Sequence, residues 1–186
     1  IVKKSPLIIS VASGVNDSSM REWLGNDVAI VRAMPNTPSS VGAGATGLFA
    51  NDNVTAAQKS LAEHIMRAVG MVVWLEHEAL INAVAAVSGS GPAYIFLVME
   101  ALQAAAEQLG LPAATARLLT LQTVQGAARM ALESEQDVTE LRHFVTVPGG
   151  STEQALKVFA AGGLQKLFGD ALQAAHNHTV KVAGSL

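Results

Sequence analysis

The sequence predicts an α/β fold in the first part of the chain, followed by an all-α fold in the rest. Short apolar runs alternate with helical periodicity as far as Leu75, and strand signals stop after that residue. From Glu76 onward, segments with helical spacing follow one another, separated by breaks that carry Gly or Pro. We therefore predict two domains, 1–75 and 76–186.

Runs of aliphatic and β-branched residues in the α/β part predict four strands, at Leu7–Val11, Val28–Ala33, Ala45–Asn51 and Met71–Leu75. A short helix is expected over Ser18–Leu24. A second helix begins near Thr55, because Gln58 lies three residues later and completes a capping box.

Periodicity in the all-α part predicts helices at Glu76–Val87, Pro92–Leu109, Ala113–Glu133, Thr139–Val145, Thr152–Ala160 and Leu164–Ala183. The uncharged run Ala79–Met99 has the length of a membrane span. We expect Ser88–Pro92 to break any helix through its middle, so no membrane partner is predicted.

Composition excludes several classes of function. With 186 residues and a net charge of −3, the chain has no basic footprint for nucleic acid. Only 15% of residues are charged, where roughly 25% is usual, and the alanine-rich helices leave apolar surface that favours a homodimer or higher homo-oligomer. Cysteine is absent, which suits a reducing compartment. The histidines have no metal-ligand spacing, so no metal is predicted.

A glycine-rich loop precedes one of the predicted helices. Pro148-Gly149-Gly150 is followed by Ser151, and Gln154 three residues later matches a capping box in which Ser151 is the N-cap. Unpaired N–H groups at the start of a helix favour a bound carboxylate or phosphate. An ordinary glycine-rich turn with a serine cap explains the pattern equally well.

Two further segments are candidates for ligand binding. The loop Met34–Thr37 follows a buried, parallel-type strand, and in open α/β sheets ligands bind beyond the carboxyl ends of strands. A rigid exit from the strand is the alternative for this loop, and a plain helix connection is the alternative for Ser88–Pro92. The run Gly42–Gly47 matches G-x-G-x-x-G but leads into a predicted strand, so we discount it as a dinucleotide fingerprint.

Three segments, taken in order, resemble successive motifs of the pyrroline-5-carboxylate reductases: Arg32–Pro38, Val87–Tyr94 and Val147–Thr152. The similarity extends over essentially the whole chain. It implies the later part of a Rossmann-type cofactor domain, followed by a helical domain for substrate binding and dimerisation. The family's glycine-rich dinucleotide loop has no counterpart here, so we expect this chain alone to be inactive.

The resemblance implies a cytoplasmic oxidoreductase of proline biosynthesis that reduces 1-pyrroline-5-carboxylate to proline with NADPH or NADH. Thr152 would be the catalytic residue and orient the imine nitrogen. The substrate-binding residues implied are Val145, Gly149, Gly150, Ser151, Thr152 and Ser90, with the carboxylate on the N–H groups of Gly150, Ser151 and Thr152. The cofactor-binding residues implied are Ala33, Met34, Pro35 and Asn36. The chain departs from the family at Val147, which is usually Ser, and at Val138, which is usually Pro.

Two other classes of function stay open. A different nicotinamide-dependent dehydrogenase with a helical second domain would need a lysine in its site, and the nearest, Lys157, lies well into the helix after the loop. A non-catalytic helical assembly module would explain the alanine-rich helices. It would leave Met34–Pro38 and Gly149–Thr152 without a role.

Overall fold

The computed structural model describes residues 6–184, which form two compact units. One unit contains the residues up to Pro92 together with those from Asp170 onward, and the other contains Ala93–Gly169. The domain boundary predicted after residue 75 coincides with the end of the sheet. The first unit continues to Pro92 because the next helical segment packs on that sheet.

The sheet has four strands in the order β1-β2-β3-β4, and all four match predicted strands. Their bounds are Leu7–Ser10 (β1), Ala29–Met34 (β2), Gly44–Ala50 (β3) and Gly70–Trp74 (β4). The β1–β2 and β3–β4 pairs are parallel, whereas β2 and β3 are antiparallel, so the sheet is mixed. The carboxyl ends of β1 and β2 therefore lie at the same edge, with Ser10 beside Arg32.

One face of the sheet packs against α2, which spans Ala56–Arg67. The core there contains Val31 and Ala33 of β2, Leu48 of β3, Val72 of β4 and, from the helix, Ala62 and Met66. The capping box predicted at Thr55 and Gln58 is confirmed, because each side chain bonds the backbone N–H of the other residue. Helix α2 is thus fixed both by its cap and by its apolar face.

A polar contact joins the last residue of β4, Trp74, to α2. The indole N–H of Trp74 donates to Glu63 at 2.8 Å, and Arg67 bonds the same carboxylate. These hydrogen bonds, that of Trp74 foremost, hold the pKa of Glu63 below its ordinary value. The Lys59 ammonium lies 4.5 Å from the centre of the Trp74 ring, a cation–π distance.

The other face of the sheet carries a buried arginine. Arg32 of β2 donates to Glu78 at 2.7 Å, and Glu78 also accepts the backbone N–H of Asp17, the first residue of α1 (Asp17–Leu24). Asn51 donates to Asp17 and to the carbonyl of Val28. This network connects β2, α1 and the segment that follows β4 at one edge of the sheet.

The run Gly42–Gly47 is not a phosphate loop, as expected. Gly42 ends a 3-10 helix over Thr37–Val41, and the later residues belong to β3. A Cβ at Gly47 would lie 2.9 Å from Val84, and a Cβ at Gly44 would collide with Ser39 and with the Val69 carbonyl. These two glycines allow close packing beside the strand.

The remaining helices are α3 (Leu80–Val84), α4 (Gly91–Gln108), α5 (Ala113–Glu133), α6 (Val138–Phe144), α7 (Ser151–Ala161) and α8 (Leu164–Ala183). The helix predicted from Glu76 begins only at Leu80. The residues before it form a turn, in which the N–H groups of Leu80 and Ile81 bond the carbonyls of His77 and Glu78.

The break predicted at Ser88–Pro92 is wrong in its extent. A π-helical turn, Ala85–Gly89, continues α3, and only Ser90 separates this turn from α4. Among residues 6–184, the helical stretch Leu80–Gln108 is therefore long and apolar enough to cross a membrane, by length and composition alone.

The second unit has almost no core of its own. Of residues 93–169, all of which the structure describes, only Ala116 and Thr120 are buried. Large apolar side chains on its helices are exposed, among them Phe96 and Leu97 of α4 and Leu118 of α5. A unit of this size needs more buried apolar surface than that to be stable.

The Arg32–Glu78 pair gives a test of the polar network. Glu78→Ala leaves a buried guanidinium without its carboxylate. The free energy of unfolding should fall by roughly 2–3 kcal/mol, less than the roughly 3–5 kcal/mol of a fully buried pair, because Glu78 is partly exposed. Urea unfolding at fixed protein concentration measures this. Glu76→Ala, which removes an exposed carboxylate two residues away, is the control. Equal losses in the two variants would contradict a role for the pair.

Candidate functional site

The loop after β2 begins at the sheet edge where β1 and β2 both end. Ala33 is buried, and its side chain packs in the core against α2, so only its backbone can meet a ligand. Met34, Pro35 and Asn36 are half-buried. Met34 therefore offers a thioether surface at the carboxyl edge of a strand, where open α/β sheets bind ligands.

The side chain of Asn36 bonds two backbone groups. Its Nδ2 donates to the carbonyl of Ser88 at 3.1 Å, and its Oδ1 accepts the N–H of Ala45 at 2.9 Å. The predicted cofactor loop is thereby joined to the start of β3 and to the π-helical turn. The structure thus brings two of the three sequence motifs together within the first unit.

The π-helical turn contains the small residues of the second motif. The N–H of Ser90 donates to the Ala85 carbonyl at 2.9 Å, and the Ser88 hydroxyl donates to the Val84 carbonyl at 3.0 Å. A Cβ at Gly89 would lie 2.9 Å from the terminal methyl of Met34, so this glycine lets the methionine approach. Ser90, predicted to contact substrate, is half-buried beside this turn.

The third motif lies in the second unit. Gly149 has φ of 76°, a left-handed conformation that favours glycine, and the N–H of Gly150 donates to the Val147 carbonyl at 3.0 Å. The loop is thus a tight turn that delivers the chain into α7. Thr152, predicted to be catalytic, is exposed in the first turn of that helix.

The predicted capping box at Ser151 and Gln154 is wrong. Gly150 is the N-cap residue, with extended backbone angles, and its carbonyl accepts the N–H of Gln154. The helix therefore begins one residue earlier than predicted, with Ser151 as its first residue. No side chain caps α7 from that position.

This change alters which N–H groups are available for an anion. The N–H of Gly150 is engaged by Val147 and that of Gly149 by the Glu153 carboxylate at 3.2 Å. The N–H groups of Ser151 and Thr152 have no partner among the residues that the structure describes. Of the three N–H groups predicted to bind a carboxylate, those of Ser151 and Thr152 are therefore the two that remain available.

A carboxylate already lies next to this helix start. Glu153 accepts from Gly149 and forms an ion pair with Lys157, whose Nζ is 3.1 Å away. The spacing of Glu153 and Lys157 was visible in the sequence, although its link to the loop was not. Because Lys157 is paired with Glu153, it is poorly suited to the catalytic role that a different dehydrogenase would require.

Val145 lies between α6 and the glycine loop. Its side chain is 52% exposed and lines an apolar cavity of about 310 Å³ with Val138, Leu141 and Met130. Both departures from the family pattern are exposed residues of this unit, Val138 in the same cavity and Val147 at the turn before Gly150. In residues 6–184 no three His, Cys, Asp or Glu side chains lie close enough together to hold a metal.

Comparison with known proteins identifies the family of this chain. The family model described as pyrroline-5-carboxylate reductase dimerisation matches residues 78–182. The pyrroline-5-carboxylate reductase of Pseudomonas aeruginosa is 50% identical over the whole chain, which spans 68% of that protein. The enzyme of Vibrio alginolyticus is 45% identical over 91% of the chain, and the match spans 62% of it.

Solved structures agree with the sequence comparison. A pyrroline-5-carboxylate reductase from Coxiella burnetii has a TM-score of 0.95 at 62% identity, covering 98% of this chain and 67% of its own. A pyrroline carboxylate reductase from Plasmodium falciparum, solved with NADP bound, has a TM-score of 0.89 at 31% identity, covering 96% of this chain and 68% of its own. Matched relatives are thus about one and a half times as long as this chain.

The left-handed residue of the glycine loop gives a second test. Gly149→Ala forces a Cβ into the left-handed region, so the free energy of unfolding should fall by about 1 kcal/mol. The matched control is Gly162→Ala in the same unit, where φ is −74° and the added Cβ makes ordinary contacts. Denaturant unfolding compares the two variants. A loss at Gly162 as large as that at Gly149 would disprove the conformational argument.

Proposed function

Because the chain belongs to the pyrroline-5-carboxylate reductase family, we propose that its full-length protein reduces 1-pyrroline-5-carboxylate to L-proline with NADPH or NADH. The observation that carries this proposal is the start of α7, where the unpaired N–H groups of Ser151 and Thr152 lie beside an exposed threonine hydroxyl. A reducible cyclic imino acid has one carboxylate and one imine nitrogen, and these groups complement that pattern of donors.

The substrate carboxylate binds at the amino terminus of α7. Two backbone N–H groups and the positive end of the helix dipole stabilise its charge. Gly149 and Gly150 shape the turn so that no side chain covers these donors, and Val145 offers an apolar surface to the ring. Glu153 limits how tightly any anion binds, because its own negative charge lies at the same helix start.

Thr152 orients the imine nitrogen. Its hydroxyl has both a donor and acceptor lone pairs, so it can bond the nitrogen before and after the nitrogen gains a proton. A protonated imine already carries the positive charge that attracts hydride. The protein must therefore mainly position its substrate, so we assign no titratable side chain to proton transfer.

The nicotinamide end of the cofactor fits the edge formed by Met34 to Asn36. Met34 supplies an apolar surface for the ring, and the backbone of Ala33 and Pro35 lines the same edge. When bound, the reduced nicotinamide supplies the hydride. The related Plasmodium falciparum protein holds NADP, in line with this choice of cofactor.

The helical segments associate with a second copy of the chain. The matched family region is described as a dimerisation region, and the second unit buries only Ala116 and Thr120 by itself. We attribute the exposed apolar surface of Leu80–Gln108 to this association rather than to lipid. A homodimer or larger homo-oligomer in the cytoplasm is the form that we propose.

Thr152→Ala tests the proposed site. In the full-length protein, loss of the hydroxyl that orients the imine should lower kcat/KM for pyrroline-5-carboxylate about 10- to 150-fold, equivalent to roughly 1.5–3 kcal/mol. Steady-state kinetics with NADPH and with NADH measure the change. Cofactor affinity should stay within about twofold of wild type, because Thr152 is assigned to the substrate.

The matched control is Thr139→Ala, which removes an exposed threonine hydroxyl from the first turn of α6. This variant should keep wild-type kcat/KM. The proposed role of Thr152 fails if both variants have wild-type kinetics, or if Thr152→Ala weakens the cofactor and spares the substrate.

Association can be measured on this chain directly. Sedimentation at micromolar concentration should show a stable homodimer or larger species, and the unfolding midpoint should rise with protein concentration. Both follow from the small core of the second unit. A folded monomer whose unfolding midpoint is independent of concentration would contradict the proposed assembly.

A further inference from the structure

Asn36 occupies a position where its side chain is expected to hydrogen-bond the backbone of the helix that follows it. It is the N-cap residue of the 3-10 helix Thr37–Val41, and an asparagine there normally accepts an N–H from its own helix. No such bond forms. The side chain instead spans to Ala45 and Ser88, which lie 9 and 52 residues away along the chain.

The Ser88 carbonyl has a reason to need an outside donor. In a regular helix it would accept an N–H from the residue four positions later, and that residue is Pro92, which has none. Asn36 Nδ2 supplies a hydrogen bond to this carbonyl at 3.1 Å. The motif Val87–Tyr94 thus contains a carbonyl that needs a donor, and the motif Arg32–Pro38 supplies that donor.

The oxygen of the Asn36 amide is also hydrogen-bonded. Ala45 N–H donates to Asn36 Oδ1 at 2.9 Å, so the oxygen and nitrogen of the amide have distinct backbone partners. Met34, two residues before Asn36, reaches Gly89 in the same π-helical turn, where a Cβ would lie 2.9 Å from its methyl. The loop is therefore held against the turn at two points.

We infer that Asn36 is a positioning residue: its side-chain amide fixes the Met34–Pro35 loop against the π-helical turn and thereby sets where the nicotinamide ring lies. This inference rests on the proposed function. It reassigns Asn36 from contact with the cofactor to support of the residues that make such contact. Loss of the amide should misplace the hydride donor, so kcat should fall while KM for the imine substrate stays nearly constant.

Asn36→Asp separates the two bonds in the full-length protein. The variant keeps an oxygen for the Ala45 N–H but turns an oxygen, instead of a donor, toward the Ser88 carbonyl. At pH 8 we expect kcat to fall roughly 10- to 100-fold, with KM for pyrroline-5-carboxylate within about twofold.

The same variant has a pH signature. Only the protonated carboxyl can donate to Ser88; the facing carbonyl favours that protonated form, whereas the Ala45 N–H favours the charged form. The ratio of variant to wild-type kcat should therefore rise as the pH is lowered from 8 to 5. Asn36→Ala, which has no group to protonate, should keep a constant ratio.

Asn53→Asp is the matched control. Its Nδ2 also donates to backbone carbonyls, those of Asn26 and Val28, within the same unit but outside the loop. This variant should show wild-type kcat and a pH-independent ratio, even where it lowers the thermal unfolding temperature. A loss of stability alone therefore does not imitate the expected result.

The outcomes are distinct. Active wild-type protein, together with a folded Asn36→Asp variant that has wild-type kcat or no acid recovery, overturns the positioning role. If Asn36→Asp does not fold, Asn36→Ala decides, and an unchanged kcat in that variant overturns it as well. Wild-type full-length protein that does not reduce pyrroline-5-carboxylate refutes the proposed function, and the positioning role with it.

Discussion

The form of two segments, the Met34–Asn36 loop with its π-helical turn and the start of α7, depends on backbone polar groups without helical partners. Proline and glycine leave these groups unpaired within their helices. Pro92 has no N–H to give to the Ser88 carbonyl, and Asn36 supplies the missing bond from a different motif. At α7, the Gly150 N–H bonds the Val147 carbonyl and the Gly149 N–H bonds the Glu153 carboxylate, whereas the N–H groups of Ser151 and Thr152 stay unpaired within residues 6–184. The Ser88 carbonyl is thus hydrogen-bonded within the protein, while the N–H groups of Ser151 and Thr152 remain available to a ligand.

The sheet and the start of α7 differ in how their charged side chains are arranged. On the sheet, the buried Arg32 pairs with the partly exposed Glu78, and Glu78 also accepts the backbone N–H of Asp17 at the start of α1. The start of α7 carries Glu153, whose charge opposes an incoming carboxylate and is partly offset by Lys157. For the proposed carboxylate site we therefore expect moderate rather than tight binding, because the negative charge of Glu153 lies at the same helix start.

The sequence predicted those features that depend on neighbouring residues. The strand positions, most helix positions and the capping box at Thr55 follow local patterns and agree with the structure, whereas the helix predicted from Glu76 begins only at Leu80. The antiparallel pairing of β2 with β3 was not predictable, because strand direction is decided by tertiary packing. The cap at Ser151 was misplaced by one residue because Gly150 adopts the extended angles of an N-cap, which its neighbours do not specify.

In the candidate site, too, local sequence patterns identified residues but did not predict contacts between residues far apart in the chain. The motif residues were identifiable because their order resembles a family, yet the bonds of Asn36 to Ala45 and Ser88 join positions that no local pattern relates. The π-helical turn Ala85–Gly89 could not be predicted from helical periodicity, because its small residues carry no pattern that distinguishes a π-turn from a regular helix or a break. In the proposed hydride transfer, which asks little of acid–base chemistry, the protein contributes mainly by positioning its ligands. The residues to which we assign roles are therefore an asparagine, a threonine and glycines, and their contacts become visible only in the folded chain.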